Sequence, residues 1–361
     1  MTNDLALIVL KGSKVFGGKV DSYLRKWRFK DKTFILDTDC PRFGSGEAKG
    51  LLKETIRDKD VYILVDVCNY SVTYDMFGYE NHMSPDDHYQ DLKRMISACS
   101  GKAKRITVIM PFLYEGRQHK RVSRESLDCA VMLQELCNMG VDNIITIDAH
   151  DSRMQNAVPL KGFETISPAF QFIETMISKI DDLKIDKEHL MVIAPDEGAT
   201  DRASFLANIL GVSMGMFYKK RDCSVIVNGK NPIIAHEFLG DSLEDKDAII
   251  IDDMISSGES MLDVAKQIKS RGAKRVFVFS TFGLFTNGLE LFDKAVEDGI
   301  INKIFTTNSI YQSPELLKRD WYYSVSMEEY IAGIISALNY NESISHLITP
   351  SLRIKKFLNE Q

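Results

Sequence analysis

The feature that most constrains this chain is a repeated alternation between two hydrophobic patterns. Short runs rich in Val and Ile recur at Tyr62–Val65, Ile106–Met110, Ile144–Ile147, Met191–Ala194, Ala248–Ile251, Arg275–Phe279 and Lys303–Thr306. Such runs read as strands buried on both faces. Between most of them lie longer stretches of helical period, at Ser126–Met139, Thr200–Leu210, Ser260–Arg271 and Asn287–Asp298. Strand and helix in alternation predict an α/β protein with mostly parallel sheets flanked by helices.

An internal echo runs through the pattern: Ala103-Lys104-Arg105-Ile106-Thr107-Val108 is similar to Ala273-Lys274-Arg275-Val276-Phe277-Val278, each after a helix ending near glycine. Together with the alternation it favours two copies of one α/β unit over a single large sheet. The boundary is expected near Val158–Ser167, where Pro159, Gly162 and Pro168 interrupt the pattern. Three stretches do not fit the wrapping: Asn69–Asp87 reads as a long loop, Asp222–Pro232 as a second, and the tail Asn341–Gln361 as a packed helix or a frayed end.

Length and composition agree with two cores, since 361 residues with 44% hydrophobic character exceed what one core usually supports. A formal charge of -6 argues against a nucleic-acid or polybasic membrane surface, so anionic small ligands must be held by local clusters. The six cysteines (Cys40, Cys68, Cys99, Cys129, Cys137, Cys223) contain no CxxC pair and read as buried, reduced thiols. The apolar stretch Leu5–Leu10 is too brief for a secretory signal, and no segment approaches the ~20 apolar residues that cross a bilayer. These features predict a soluble protein of a reducing, cytoplasmic setting.

The strongest local signal is Ile249-Ile250-Ile251-Asp252-Asp253-Met254-Ile255-Ser256-Ser257-Gly258-Glu259-Ser260, leading into a helical run. An apolar strand delivers adjacent carboxylates to its carboxyl end, and a turn of hydroxyls and glycine opens a helix. Such a turn offers backbone N–H groups and a helix N-terminus to phosphate. The paired acids suit the two hydroxyls of a ribose. An ordinary turn with a Ser N-cap is the structural alternative. The segment resembles the PRPP-binding loop shared by type I phosphoribosyltransferases and ribose-phosphate pyrophosphokinases. The resemblance implies that Asp252 and Asp253 hold ribose hydroxyls and that Ser256, Ser257, Gly258, Glu259 and Ser260 cradle the 5-phosphate. In this loop the chain looks closer to the transferases.

Other segments resemble the pyrophosphokinases specifically. Arg42-Phe43-Gly44-Ser45-Gly46-Glu47 is similar to the family's Arg-Phe-x-Asp-Gly-Glu, which touches the adenine of ATP supplied to a neighbouring subunit; Ser45 replaces the aspartate. Phe43 offers a ring for a base to stack on and Glu47 an acceptor for an amino group. Pro111-Phe112-Leu113-Tyr114-Glu115-Gly116-Arg117-Gln118-His119 resembles the family's Pro-Tyr-x-x-Tyr-x-Arg-Gln-Asp, in which Arg117 and Gln118 would grip phosphate and base. The run Asp148-Ala149-His150 ends a strand with an acid and a histidine expected on one side of an extended chain, and resembles an Asp-x-His whose histidine helps place magnesium with ATP.

Pro195-Asp196-Glu197-Gly198, before Arg202-Ala203, resembles the family's Pro-Asp-x-Gly turn, with Asp196 as an oxygen ligand for a second magnesium or for the sugar. Glu197 and Asp201 depart from the family and add two negative charges. Lys219-Lys220-Arg221 resembles a triplet whose first lysine and last arginine reach over the reacting phosphorus, which assigns Lys219 and Arg221 as transition-state stabilisers. A surface basic triplet is the alternative.

The resemblance, from about Arg42 to Asn339, implies two similar domains of type I phosphoribosyltransferase-like fold. It places an ATP-side domain at 1–165, a ribose 5-phosphate domain at 166–325, and a C-terminal helix and tail at 326–361 packing back on the first. It further implies Mg²⁺, ATP and ribose 5-phosphate, and a dimer-based homo-oligomer, up to a hexamer, with no nucleic-acid or membrane partner. Two rivals remain open at this point: a phosphoribosyltransferase that consumes PRPP, and a regulatory relative without turnover.

Overall fold

A computed structural model describes residues 4–99, 101–221 and 233–360, with the side chains of 219–221 and 233–236 outside the description. In chain order the first elements are β1 (Asp4–Val9), α1 (Lys14–Arg28), β2 (Thr38–Asp39), β3 (Leu51–Leu52), β4 (Lys59–Leu64), β5 (Thr73–Met76), β6 (Tyr79–His82), α2 (Pro85–Cys99), β7 (Arg105–Ile109), α3 (Asp128–Asn138), β8 (Asn143–Ile147) and β9 (Gly162–Ile166). There follow α4 (Ala169–Lys179), β10 (Leu190–Ala194), α5 (Thr200–Leu210), β11 (Ser213–Arg221), β12 (Ile233–Leu239), β13 (Asp247–Ile255), α6 (Glu259–Ser270), β14 (Arg275–Gly283), α7 (Glu290–Glu297), β15 (Lys303–Thr307), α8 (Pro314–Leu317) and β16 (Tyr322–Val325). The chain closes with α9 (Glu328–Asn339), α10 (Ser345–Ile348) and α11 (Ser351–Asn359).

The residues form two compact units. The first comprises 1–168 with 308–311 and 326–350, and the second comprises 169–307 with 312–325 and 351–361. Unit 1 holds a five-stranded sheet in the order β1-β4-β7-β8-β9, all parallel. Unit 2 holds a seven-stranded sheet, β12-β11-β10-β13-β14-β15-β16, parallel except for the edge strand β12.

Strand alternation builds the cores. In unit 2, Ile250, Val278 and Ile304 point into one cluster while Ile249, Ile251, Phe277, Phe279 and Phe305 point into another on the opposite face. Both faces are therefore dry, which is why these strands read as continuous apolar runs. In unit 1, Ala6, Ile8, Val61, Ile63 and Val108 share one cluster with residues of α2 and α3. On α1, Phe16, Val20 and Leu24 are buried at four-residue spacing, and α9 packs alongside this helix.

The echoed Ala-Lys-Arg segments open equivalent strands. Arg105 on β7 faces its register partner Asp60 on β4, with Nε donating to Oδ1 at 2.8 Å and Nη2 to Oδ2 at 2.6 Å. Arg275 on β14 repeats the fork on its own register partner, Asp247 on β13, at 2.9 and 2.6 Å. Just before each acid a left-handed aspartate, Asp58 (φ 61°) and Asp245 (φ 57°), donates its N–H to the segment entering the neighbouring strand. The duplication is thus a property of the backbone.

Three of the stretches that the sequence set apart take a definite form. Asn69–Asp87 is not a plain loop, because β5 and β6 pair there as an antiparallel hairpin and α2 begins at Pro85. The units divide after Pro168, one residue beyond the expected Val158–Ser167, and that stretch contains β9, the edge strand of the first sheet, where Gly162 lies against Asn143. The tail Asn341–Gln361 carries the helices α10 and α11, and the segment 326–361 does not pack wholly on the first unit: α9 and α10 lie in unit 1, whereas α11 belongs to unit 2, whose core takes Ile354.

Candidate functional site

The carboxyl end of β13 positions the principal site. The strand does not stop at Ile251, as its apolar run suggested; pairing with β14 continues through Met254 with Phe282 and Ile255 with Gly283. Asp252 and Asp253 therefore occupy successive strand positions, with Asp253 buried and Asp252 partly accessible. The Asp253 N–H donates to Asp252 Oδ1 at 2.9 Å, and Arg202 Nη2 stands 3.8 Å from Asp253 Oδ2. Burial, then the charges of Asp253 and Asp196, push the Asp252 carboxyl up to about 8.

After Ile255 the chain turns through Ser256 and Ser257, both half-buried, into Gly258. Gly258 has φ 88°, and a Cβ there would stand 2.2 Å from the buried Phe292 ring. Only glycine meets both demands. Glu259 and Ser260 are exposed on the first turn of α6, whose free N–H groups open beside the turn. The Thr286 N–H, three residues beyond β14, donates to the Ser256 carbonyl at 3.0 Å and fixes the turn. On the neighbouring strand β10, Asp196 follows the carboxyl end and accepts from the Gly198 N–H at 3.0 Å. Arg202 donates to the Gly198 carbonyl at 3.3 Å, so one side chain links the Asp196 turn to the β13 acids.

Among the described residues no three His, Cys, Asp or Glu side chains converge as a ready-made metal cage. The like-charge crowding of Asp196, Asp252 and Asp253 nevertheless fits a divalent cation, and oxygen donors suit magnesium. A magnesium ion there would take its remaining ligands from phosphate and water.

In unit 1 the Arg42–Glu47 segment is a closed turn, with the Phe43 N–H donating to the Glu47 carbonyl at 2.7 Å and Gly46 N–H to the Phe43 carbonyl at 2.9 Å. Phe43 is 54% exposed, leaving its ring face available. The Ser45 hydroxyl donates to the Glu47 carboxylate at 2.9 Å. Gln118 is committed to its own loop, its Nε2 donating to the Ser126 carbonyl at 2.8 Å, while Arg117 is exposed.

His150 is exposed, but the expected extended run does not form. The strand β8 ends at Ile147, and Asp148 takes the left-handed conformation at φ 44°, donating its N–H to Ile166 on β9. Sequence reasoning passed over His119, whose ring meets that of His150 edge-on at 5.3 Å and whose Nε2 lies 3.3 Å from Asp151 Oδ2. Burial holds the His119 imidazole below its usual range. Arg153 and Asp151 form a fork that keeps the Asp151 carboxyl well below the ordinary carboxylate range. The signal was a histidine closing the Arg117-Gln118 motif, which only the fold connects to His150.

Asp66, just beyond β4, has no role in the sequence reading. It is buried, accepts from the Cys68 N–H at 2.8 Å and the Tyr311 N–H at 2.7 Å, and burial pushes its carboxyl up to about 7. Among the described cysteines Cys40, Cys99 and Cys129 are buried free thiols, with Cys68 and Cys137 half-buried; Cys223 lies outside the described residues. The backbone of β11 reaches Arg221, but the side chains of Lys219 and Arg221, and the stretch Asp222–Pro232, lie outside the described residues. No helix among the described residues is long and apolar enough to cross a membrane.

The parallel sheets and the strand-turn-helix site at β13 define an α/β protein of phosphoribosyltransferase type. Residues 161–305 match the family model of the phosphoribosyl transferase domain, and residues 5–140 match the N-terminal domain of ribose phosphate pyrophosphokinase. The chain is 28% identical over 339 residues to a ribose-phosphate pyrophosphokinase of Vibrio cholerae, covering 92% of this chain and 98% of that one. Against the enzyme of Pasteurella multocida it is 27% identical, covering 93% and 99%. The crystal structure of phosphoribosylpyrophosphate synthetase from Mycobacterium smegmatis shares the fold, with a TM-score of 0.75 at 20% identity over 93% of this chain and 99% of that one. The chain belongs to the ribose-phosphate pyrophosphokinase family, as a divergent member.

Proposed function

We propose that this chain makes phosphoribosyl pyrophosphate by moving the terminal diphosphate of ATP onto the 1-hydroxyl of ribose 5-phosphate. The observation that carries the reading is the turn after β13, where Gly258 and the start of α6 form an anion cradle directly beyond two carboxylates. Ribose 5-phosphate sits with its phosphate on Ser256–Ser260 and its ring hydroxyls toward Asp252 and Asp253. The sugar O1 attacks the β-phosphorus, the bond from that phosphorus to the oxygen bridging it to the α-phosphorus breaks, and AMP leaves with that oxygen. The hydroxyl proton passes to solvent.

The chain's own contribution is positioning and charge neutralisation. Phe43 and Glu47 receive the adenine, with Ser45 orienting the Glu47 carboxylate, and Arg117 and Gln118 grip phosphate and base. His150 would help place the magnesium that accompanies ATP, and Asp196 would be an oxygen ligand for a second one or for the sugar; when bound, such ions would neutralise phosphate oxygens. Lys219 and Arg221 stabilise the charge developing on the transferred group. Adenine contacts supplied to a neighbouring subunit make the chain a dimer-based homo-oligomer, working in the cytoplasm.

The test is incubation of the purified chain with Mg-ATP and ribose 5-phosphate. AMP formed only when the sugar is present is the expected result. ATP binding without AMP would point to a regulatory relative, and release of pyrophosphate from PRPP with a base would point to a transferase. Lys219→Ala should lower kcat by about 10²- to 10³-fold, on the order of 3 to 4 kcal/mol in barrier. Near-normal turnover in that variant would remove Lys219 from the mechanism.

A further inference from the structure

The hairpin β5–β6 lies in a stretch whose sequence matched no functional segment, yet its contacts converge on one place. Tyr74 lies under Arg42, with the guanidinium 4.6 Å from the ring centroid. Met76 fills the space beside Gly46, where a Cβ would meet its sulfur at 2.7 Å. The Phe77 N–H donates to the Gly44 carbonyl at 2.8 Å. The hairpin thus holds Arg42, Gly44 and Gly46, while Phe43, Ser45 and Glu47 stay exposed.

Arg42 is the pivot. Its side chain is only 8% exposed, pairs with Asp91 at 3.0 Å, stands 4.0 Å from Asp87 and donates to the Gly46 carbonyl at 3.3 Å. Asp87 in turn accepts from the Tyr74 hydroxyl at 3.3 Å. A turn this short, with its functional side chains in water, has no core of its own to define their geometry. Its shape is imposed through the buried guanidinium and the hairpin. Support of this kind removes ordering cost from the binding step and so appears in affinity.

We propose that the hairpin Thr73–His82 is a positioning element for the nucleotide base, setting ATP affinity through the Arg42–Glu47 turn. The inference rests on the assignment of Phe43 and Glu47 to the adenine. Tyr74, Met76 and Arg42 are positioning residues, acting through the turn without touching the nucleotide.

The experiment uses the full chain and measures KM for each substrate, kcat, melting temperature, and ATP binding by calorimetry. In Tyr74→Ala, KM for ATP and the calorimetric dissociation constant should both rise about tenfold, as loss of a desolvated cation–π contact implies. KM for ribose 5-phosphate should stay within about twofold. Tyr74→Phe keeps the ring under the guanidinium and should recover ATP binding to within about threefold. Asp75→Ala, on the same strand but exposed, should leave ATP binding unchanged. Unaltered ATP affinity in Tyr74→Ala, with or without a lowered melting temperature, overturns the inference, as does an equal rise in both KM values. If the wild-type chain binds ATP but forms no AMP, the catalytic reading fails while calorimetry still decides the hairpin's role. A wild-type chain that binds no ATP overturns both.

Discussion

The two units make the same construction at the amino ends of their strands and different ones at the carboxyl ends. Asp60 with Arg105, and Asp247 with Arg275, are forks of matching geometry at matching registers. Asp66 follows Asp60 at the same interval as Asp253 follows Asp247. Beyond Asp253 lies the glycine turn that opens α6; beyond Asp66 lies a bend that fastens Tyr311. Both units place an acid at this point, and only beyond Asp253 does the glycine turn follow. Matching strand-to-strand joints at one end are therefore compatible with different chemistry at the other.

The sharpest way to break this comparison is to cut each fork. Arg105→Leu leaves Asp60 fully buried, and Tyr62 with Asn339 cannot neutralise it. Removal of one partner from a buried pair costs about 3 to 5 kcal/mol. Arg275→Leu should cost less, because Asp247 is slightly accessible and lacks those extra donors. Denaturant unfolding followed by probes in each unit checks the ranking; equal losses would mean that the forks, not their surroundings, set the cost.

The next prediction concerns the acids beyond the strands. Asp253→Asn should lower kcat/KM by about 10²- to 10³-fold, roughly 3 to 4 kcal/mol, whereas Asp66→Asn should act on stability and leave kcat within about threefold. Steady-state kinetics on both variants tests the asymmetry. Comparable kinetic losses would erase the distinction between the two ends.

A smaller effect follows from the Asp66 carboxyl, raised from 3.8 to about 7 by burial. The folded chain holds this proton more tightly than the unfolded chain, so its contribution to stability is full below about pH 4 and is lost as pH rises through about 7. By linkage the loss amounts to about 2 to 4 kcal/mol at most. Hydrogen exchange of the amides near Tyr311 should quicken over that window, and Asp66→Leu should flatten the dependence. Smallest of all, Ser45→Ala should raise KM for ATP about two- to threefold, since its hydroxyl only orients Glu47.

Much of the α/β frame was readable because central parallel strands must be apolar throughout, and runs as short and apolar as Ala248–Ile251 and Met191–Ala194 suit little else than the middle of a covered sheet. The edge strand β9 was not, since Gly162 and a single covered face gave it no such run. The hairpin was hidden for a related reason: Tyr74, Phe77 and Tyr79 pack or protrude individually, and no core imposes alternation on them. At the site, Gly258 and the acids stood out by chemistry. Their placement within a strand did not, because it depends on how far β14 continues to pair. His119 meets His150 and Asp151 only through the fold, and Asp66, beside its local bond from Cys68, gains Tyr311 from far along the sequence.

The chain's return journey through α9 has a genetic consequence. Leu338 and Asn339 close the polar shell around Arg105 and Asp60, so a fragment ending at Pro168 would leave that shell open and α1 uncovered. Because unit 1 is assembled from 1–168, 308–311 and 326–350, no single uninterrupted stretch of gene encodes it. Any shuffling event that severed it before residue 339 would transmit a half with its seam undone.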